Sequence, residues 1–172
     1  MSRPLVIRPA APADESAIAD ICARAVRLAY RDLASPDYVE RAVAHWFMPA
    51  RLRRELAPAD DWFGYVVATE ADTVVGVAGS GLVAAGRGEL YTLYVDPARQ
   101  RTGVGRRLAG HEIARAAHAG LARLDVAVLP GNLPAMRFYE ACGFVFDGER
   151  PIYAPHGRDG GPEVALVYMR HL

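Results

Sequence analysis

The stretch DPARQRTGVG, Asp96 to Gly105, follows the apolar run LYTLYV and sets Gly103 and Gly105 among Arg99, Arg101, Arg106 and Arg107. A strand that ends in a glycine turn and opens into a helix presents unpaired backbone N–H groups and a dipole favourable to negative charge. Glycine also lets a ligand approach the backbone closely. The arginines add positive charge at the same place. The chemistry these residues suit is the holding of a phosphate; a solvated helix start with ordinary turn glycines is the other reading.

Two well-known phosphate loops fail to fit. A dinucleotide fingerprint, G-x-G-x-x-G, needs a third glycine where Leu108 stands, and Asp125, the acid at about the right distance, falls at the wrong end of its strand. A P-loop needs lysine, and all 20 basic residues of this chain are arginine. The same absence removes Schiff-base chemistry. His111 and His118 share a helical face but stand roughly 10 Å apart along the axis, too far for one metal ion, so no metal is expected. No Ser-His-Asp arrangement or G-x-S-x-G elbow is visible. Cys22 and Cys142 form no C-x-x-C pair and read as reduced, buried thiols.

A length of 172 residues, 52% of them hydrophobic, suits one domain spanning 1–172 with a single sizeable core. The formal net charge is +0, which argues against nucleic acid as a partner. No run of about 18 apolar residues occurs, and the apolar part of MSRPLVIRP is too short for a secretory signal; no membrane association and a cytoplasmic location are expected.

The elements that must position the turn follow from local signals. LVIRP reads as a strand, and a helix starts near Pro12, with Ile18, Ile21, Cys22, Ala25 and Leu28 at helical spacing. Ser35-Pro36 opens a second helix, which the arginine-rich PARLRREL continues past a break at Pro49 as a solvated face. WFGYVVAT, TVVGVAGSGLV and ELYTLYV are rich in β-branched and aromatic residues and predict three consecutive antiparallel strands. A helix from Gly103 to Ala119, a strand at RLDVAVL and a short helix at NLPAMRFYEAC follow, Asn132 capping the last. FVFDGE and EVALVYMRHL close the chain as strands joined by a loop rich in glycine and proline. The order βααβββαβαββ implies an α+β (mixed α/β) fold: a central, mostly antiparallel mixed sheet with helices on both faces.

Two separate patterns resemble the GNAT superfamily of acetyl-CoA-dependent N-acetyltransferases. One is [QR]-x-x-G-x-[GA] after a Val-x-Pro turn, carried by Val95, Pro97, Gln100, Gly103 and Gly105. The other is Val followed by N-x-x-A-x-x-F-Y-x-x-x-G-F, carried by Val128, Asn132, Ala135, Phe138, Tyr139, Gly143 and Phe144. Arg101 stands where the family often has glycine. The resemblance implies that the turn from Gln100 through Arg101, Thr102, Gly103, Val104, Gly105 and Arg106 holds the pyrophosphate of acetyl-CoA. It implies that a bulged fourth strand, with Leu93, Tyr94 and Val95, pairs with the pantetheine arm and polarises the thioester carbonyl.

By the same resemblance Tyr139 protonates the departing thiolate, and Asn132 orients the pantetheine or simply caps its helix. Tyr139 read without the family is a packed aromatic. An alkyl amine with a pKa of about 10.4 is protonated at neutral pH and needs a base. Glu89 begins the strand leading to the thioester, with Tyr91 and Leu93 on the same face by alternation, and is the candidate base; otherwise it is an exposed strand-end carboxylate. Tyr30, Asp37, Tyr38, Glu40, Asp60 and Asp61 are candidates for a somewhat acidic acceptor site, and His45 with Trp46 either joins it or belongs to the core. A small-molecule amine is the expected acceptor, ahead of a protein or peptide amine; a non-catalytic acyl-CoA sensor is the alternative from another class. A monomer or homodimer is expected.

Overall fold

The computed structural model describes residues 4–153 and 161–172. The elements, in chain order, are β1 (Leu5–Pro9), a 3-10 turn (Pro12–Asp14), α1 (Glu15–Tyr30), α2 (Pro36–Trp46), α3 (Pro49–Glu55), β2 (Trp62–Glu70), β3 (Thr73–Ala84), β4 (Arg87–Val95), a second 3-10 turn (Pro97–Arg99), α4 (Val104–His118), β5 (Arg123–Val128), α5 (Leu133–Ala141), β6 (Val145–Pro151) and β7 (Val164–His171). Most of the glycine- and proline-rich loop before β7 lies outside the described residues.

The strands form one seven-stranded sheet in the order β1-β2-β3-β4-β5-β7-β6. Among the described residues only β4 and β5 run parallel; each other neighbouring pair is antiparallel, so the sheet is mixed and mostly antiparallel as the sequence pattern implied. The expected order lacked one helix. Pro49 cannot continue α2 because it has no N–H to donate, so α3 starts afresh behind Met48 in extended conformation. Ser35 caps α2 by accepting from the Tyr38 N–H at 3.2 Å.

Strand alternation distributes the core to two faces. Val66, Ala68, Val75, Ala78, Leu124 and Val126 pack against α4 and α5 through Val104, Leu108 and Tyr139, and against Phe144 just beyond α5. Tyr65, Val67, Val74 and Val77 pack against α1, α2 and α3 through Ile18, Cys22, Val39 and Leu52. Helix α4 is further pinned by Glu112, fully buried, which accepts from the Ser80 hydroxyl and from Arg115; Arg115 in turn donates to the carbonyls of Phe63 and Gly64. Cys22 is buried as expected, while Cys142 is only half-buried.

The β2–β3 connection is a two-residue hairpin turn, Glu70 pairing with Thr73, in which Ala71 and Asp72 both have positive φ, 47° and 67°. Such a turn favours Asn-Gly, because a Cβ in the left-handed region costs roughly 1–2 kcal/mol. The double substitution Ala71→Asn, Asp72→Gly is expected to raise stability by about 1 kcal/mol and Tm by about 2–4 °C for a chain of this size. Thermal unfolding followed by circular dichroism checks it; an unchanged or lower Tm refutes the assignment of strain to this turn.

Candidate active site

The site begins where β4 leaves β5. Their parallel pairing runs from Arg87 with Arg123 to Leu90 with Val126 and stops there, although β4 continues to Val95 and β5 to Val128. Beyond that point Leu93, Tyr94 and Val95 pair only with Ala78, Val77 and Gly76 of β3. Their edge toward β5 carries backbone N–H and C=O groups with no pairing strand among the described residues, a slot that an extended amide-bearing ligand can fill as an added strand.

The slot leads to the glycine turn. Asp96 accepts from the Ala98 N–H at 2.9 Å and holds the guanidinium of Arg24 from α1 at 3.1 and 3.0 Å, which fixes where the chain turns. The Thr102 hydroxyl donates to the Arg99 carbonyl at 2.6 Å, so it serves the turn itself. Gly103 caps α4 at φ 90°, and a Cβ built on it meets nothing within 4 Å, so the space over the helix start is open. Arg101 has φ 63°, the left-handed region, which explains why glycine suits that position. Arg99 is committed to Glu70 at 2.9 Å, whereas Arg101, Arg106 and Arg107 have no ion pair among the described residues. Open space, helix N-terminus and free guanidinium groups together fit a diphosphate. Asp125, weighed above as a ribose-binding acid, is buried and paired with Arg87 and Arg123, which ends that reading.

Strand β4 carries a bulge, but earlier than expected. Leu90 pairs with Ser80 and Thr92 with Gly79, leaving Tyr91 as the extra residue. One inserted residue reverses the alternation. Glu89, Thr92 and Tyr94 therefore share the α1–α3 side, while Leu93 turns to the α4 face instead of sharing Glu89's face as alternation predicted.

On the α1–α3 side lies a cavity of about 710 Å³. Rings from Tyr30, Tyr38, Trp46 and Phe47 form one wall, and Trp62, Tyr65, Tyr91 and Tyr153 another. Gly79 lets the Trp62 indole lie on the sheet, since a Cβ there would come within 2.4 Å of it. Trp62 is anchored by donating to the Glu55 carbonyl at 2.6 Å. Thr92, Tyr94, Val128 and Leu129 line the cavity at the mouth of the β4–β5 slot, so the two spaces join.

Glu89 lies within β4, which begins at Arg87, and faces this cavity at only 4% exposure; it is not a strand-end surface carboxylate. It accepts from Arg150 at 2.5 Å and from the Tyr153 hydroxyl at 3.0 Å. Burial pushes its pKa above the ordinary carboxylate value, with Arg150 acting in opposition. Tyr91 beside it is pushed up to about 12 by burial and then by the Glu89 charge. Tyr139, 8% exposed, packs edge-on against Phe138 and Phe144. Burial raises its pKa, so the phenol stays protonated at neutral pH, and it lies within electrostatic reach of Tyr30 and Tyr94. Asn132 is the α5 cap, its Oδ1 accepting from the Ala135 N–H at 3.3 Å.

Of the six acceptor-side candidates, Tyr30, Tyr38 and Asp61 line the cavity; Asp37, Glu40 and Asp60 do not, and Glu40 is paired with Arg27. Trp46 lines it without His45, which stands against the Trp46 ring. The arginine-rich α3 is not simply solvated. Arg51 stacks on Trp46 at 4.3 Å and pairs with Glu55, and Arg51, Arg54 and Glu55 of α3 all line the cavity. Trp62, Tyr65, Arg150 and Tyr153 were missed; no local pattern marks residues whose only common property is the space they enclose. Among the described residues no group of three or more His, Cys, Asp or Glu is placed to hold a metal, and no helix is long and apolar enough to cross a membrane.

Comparison with known proteins agrees with this architecture. The model of the acetyltransferase (GNAT) family matches residues 27–144, well over half of the chain, and the chain belongs to that family. It is 40% identical over 109 residues to an uncharacterized protein of Mycobacterium leprae, covering 62% of this chain and 29% of that protein. It is 32% identical over 123 residues to a mycothiol acetyltransferase of Thermobispora bispora, covering 68% of this chain and 41% of that enzyme. The chain thus spans less than half the length of these relatives. The paia N-acetyltransferase of Thermoplasma acidophilum, solved in complex with coenzyme A, superposes with a TM-score of 0.83 over 98% of this chain and 99% of that one, at 16% identity, a likeness of fold.

Proposed function

We propose that the chain transfers an acetyl group from acetyl-CoA to a primary amine of a small molecule, both bound at once. The observation that carries this reading is the junction of the two spaces. The β4–β5 slot, with the Gly103 turn and the start of α4 at one end, opens at Thr92, Tyr94 and Val128 into a cavity that contains a buried carboxylate. A cavity of this volume suits a small molecule, and its aromatic walls suit a cationic or amphipathic amine. The mycothiol acetyltransferase among the relatives also supports a small acceptor.

Bound acetyl-CoA supplies the activated acyl thioester. Gln100 to Arg106 bind its diphosphate, and the backbone of Leu93, Tyr94 and Val95 holds the arm and presents an N–H to the carbonyl oxygen, with Asn132 capping the helix that carries Tyr139. Glu89 takes the proton from the acceptor ammonium, and Tyr139 gives one to the departing sulfur. The donor from backbone contributes roughly 3 kcal/mol of transition-state stabilisation by analogy with other oxyanion sites.

Purified protein incubated with acetyl-CoA and a panel of amines is expected to release free thiol and to give a product heavier by one acetyl group. CoA is expected to raise Tm by mass action, and NAD and ATP far less. Gly103→Val places a branched side chain in the open space over the helix start and in a left-handed conformation; CoA affinity is expected to fall by at least about 10-fold. A folded Gly103→Val protein with unchanged CoA affinity refutes the phosphate assignment. Tight acetyl-CoA binding with no acetylated product across small amines and peptides favours the sensor instead.

A further inference from the structure

Glu89 stands in surroundings that disfavour its charge, and the group opposing them comes from the far side of the sheet. Strand β6, an edge strand, pairs Arg150 with Ala165 of β7; Arg150 and, two residues beyond the strand, Tyr153 reach across the cavity to β4, 61 and 64 residues away in sequence from Glu89. The Arg150 guanidinium lies 3.7 Å from the centre of the Tyr153 ring. It is thus clamped between an aromatic face and the carboxylate, with its side chain only 20% exposed. Tyr153 donates to the other carboxylate oxygen, and its ring continues the row through Tyr91 to Trp62.

Around Glu89 the remaining charged and titratable groups work the other way or are already occupied. Asp125 of β5 adds negative charge nearby, neutralised by Arg87 and Arg123. Tyr91 of β4 is a neutral phenol, and Asp61, before β2, adds negative charge at its hydroxyl end. Among the described residues Arg150 is the cation in direct contact with the carboxylate.

We propose that Arg150, stacked on Tyr153, is the positioning residue that keeps Glu89 ionised and aimed into the acceptor cavity, so that the carboxylate is available as a base at neutral pH. Each Glu89 oxygen accepts one hydrogen bond in this arrangement and retains a lone pair for an ammonium proton. The inference rests on the proposal that Glu89 is the base, but its first readout does not. A full charge opposite a buried carboxylate holds the proton off; a neutral amide at the same place forms a hydrogen bond without that field.

The test is a pH titration of the Glu89 carboxyl by 13C NMR in protein labelled at glutamate side chains, its signal assigned by its loss in Glu89→Gln. Arg150→Gln is expected to move the midpoint up by about one pH unit or more, a tenfold change in proton affinity. Arg150→Lys is expected to return it most of the way, and Tyr153→Phe, which keeps the ring under the guanidinium, to move it by less. Arg150→Met, whose apolar stem still covers the Tyr153 ring, replaces Arg150→Gln if that variant does not fold. An unmoved midpoint in the folded, charge-removed variant overturns the proposal. The acid limb of kcat/KM is expected to follow the NMR midpoint; if the midpoint moves and the limb does not, the positioning role stands and the assignment of Glu89 as base falls.

Discussion

Tyr139→Phe is expected to lower kcat by about 10²-fold or more while leaving folding and CoA affinity nearly unchanged. The substitution removes one oxygen. The ring it keeps is the part that packs against Phe138 and Phe144, and no side-chain hydrogen bond to the Tyr139 hydroxyl exists among the described residues. Loss of the hydroxyl therefore leaves no buried partner stranded, and Tm is expected to stay within a few degrees. The burial-raised pKa keeps the phenol protonated through the neutral range, so wild-type activity is not expected to show a limb from this residue there. Steady-state and single-turnover kinetics with acetyl-CoA check the result. Wild-type kcat under conditions where chemistry limits turnover would remove Tyr139 from the mechanism and leave it a packing residue.

Glu89→Gln is the second large effect. Protonation would disable the proposed base, and because burial raises the pKa of Glu89 the acid limb of the wild-type profile is expected above the ordinary carboxylate value. The variant lacks that limb. Its rate should instead climb with the fraction of free amine, up to the amine's own pKa of about 10. The deficit relative to wild type is thus expected to be about 10²-fold near pH 7 and to shrink as pH rises. Measured kcat/KM between pH 6 and about 10 decides it; a deficit that is constant with pH would mean Glu89 binds the acceptor without taking its proton.

The two residues were legible to different degrees. Tyr139 lies in a short helix announced by its own cap, Asn132, and its proline at the second position, and the pattern around it is contiguous. The glycine turn proposed to hold the diphosphate was equally legible as local structure, because Gly103 and the helix start it caps are consequences of local backbone sterics and of dipoles within a few residues. Glu89 was a candidate from its place in the strand, but its burial and its partners were not legible. Its partners come from β6 and beyond, and nothing near Glu89 in the chain selects them.

What the sequence by itself determined is the set of elements apart from α3, the direction of the strands in the three-stranded meander, the glycine turn at the start of α4 and the tyrosine helix. Each follows from propensity, capping or steric rules that act over a few residues. Tertiary structure alone decided which way β4 faces, because the bulge at Tyr91 arises from pairing with β3 and reverses the alternation that Glu89, Tyr91 and Leu93 would otherwise obey. It also decided the cavity, where rings from α1, α2, β2, β4 and the end of β6 converge, and the contact of Arg150 with Glu89. Enclosed volume and the pairing of a buried charge depend on packing between distant segments, so no short-range pattern in the chain can encode them separately from the fold.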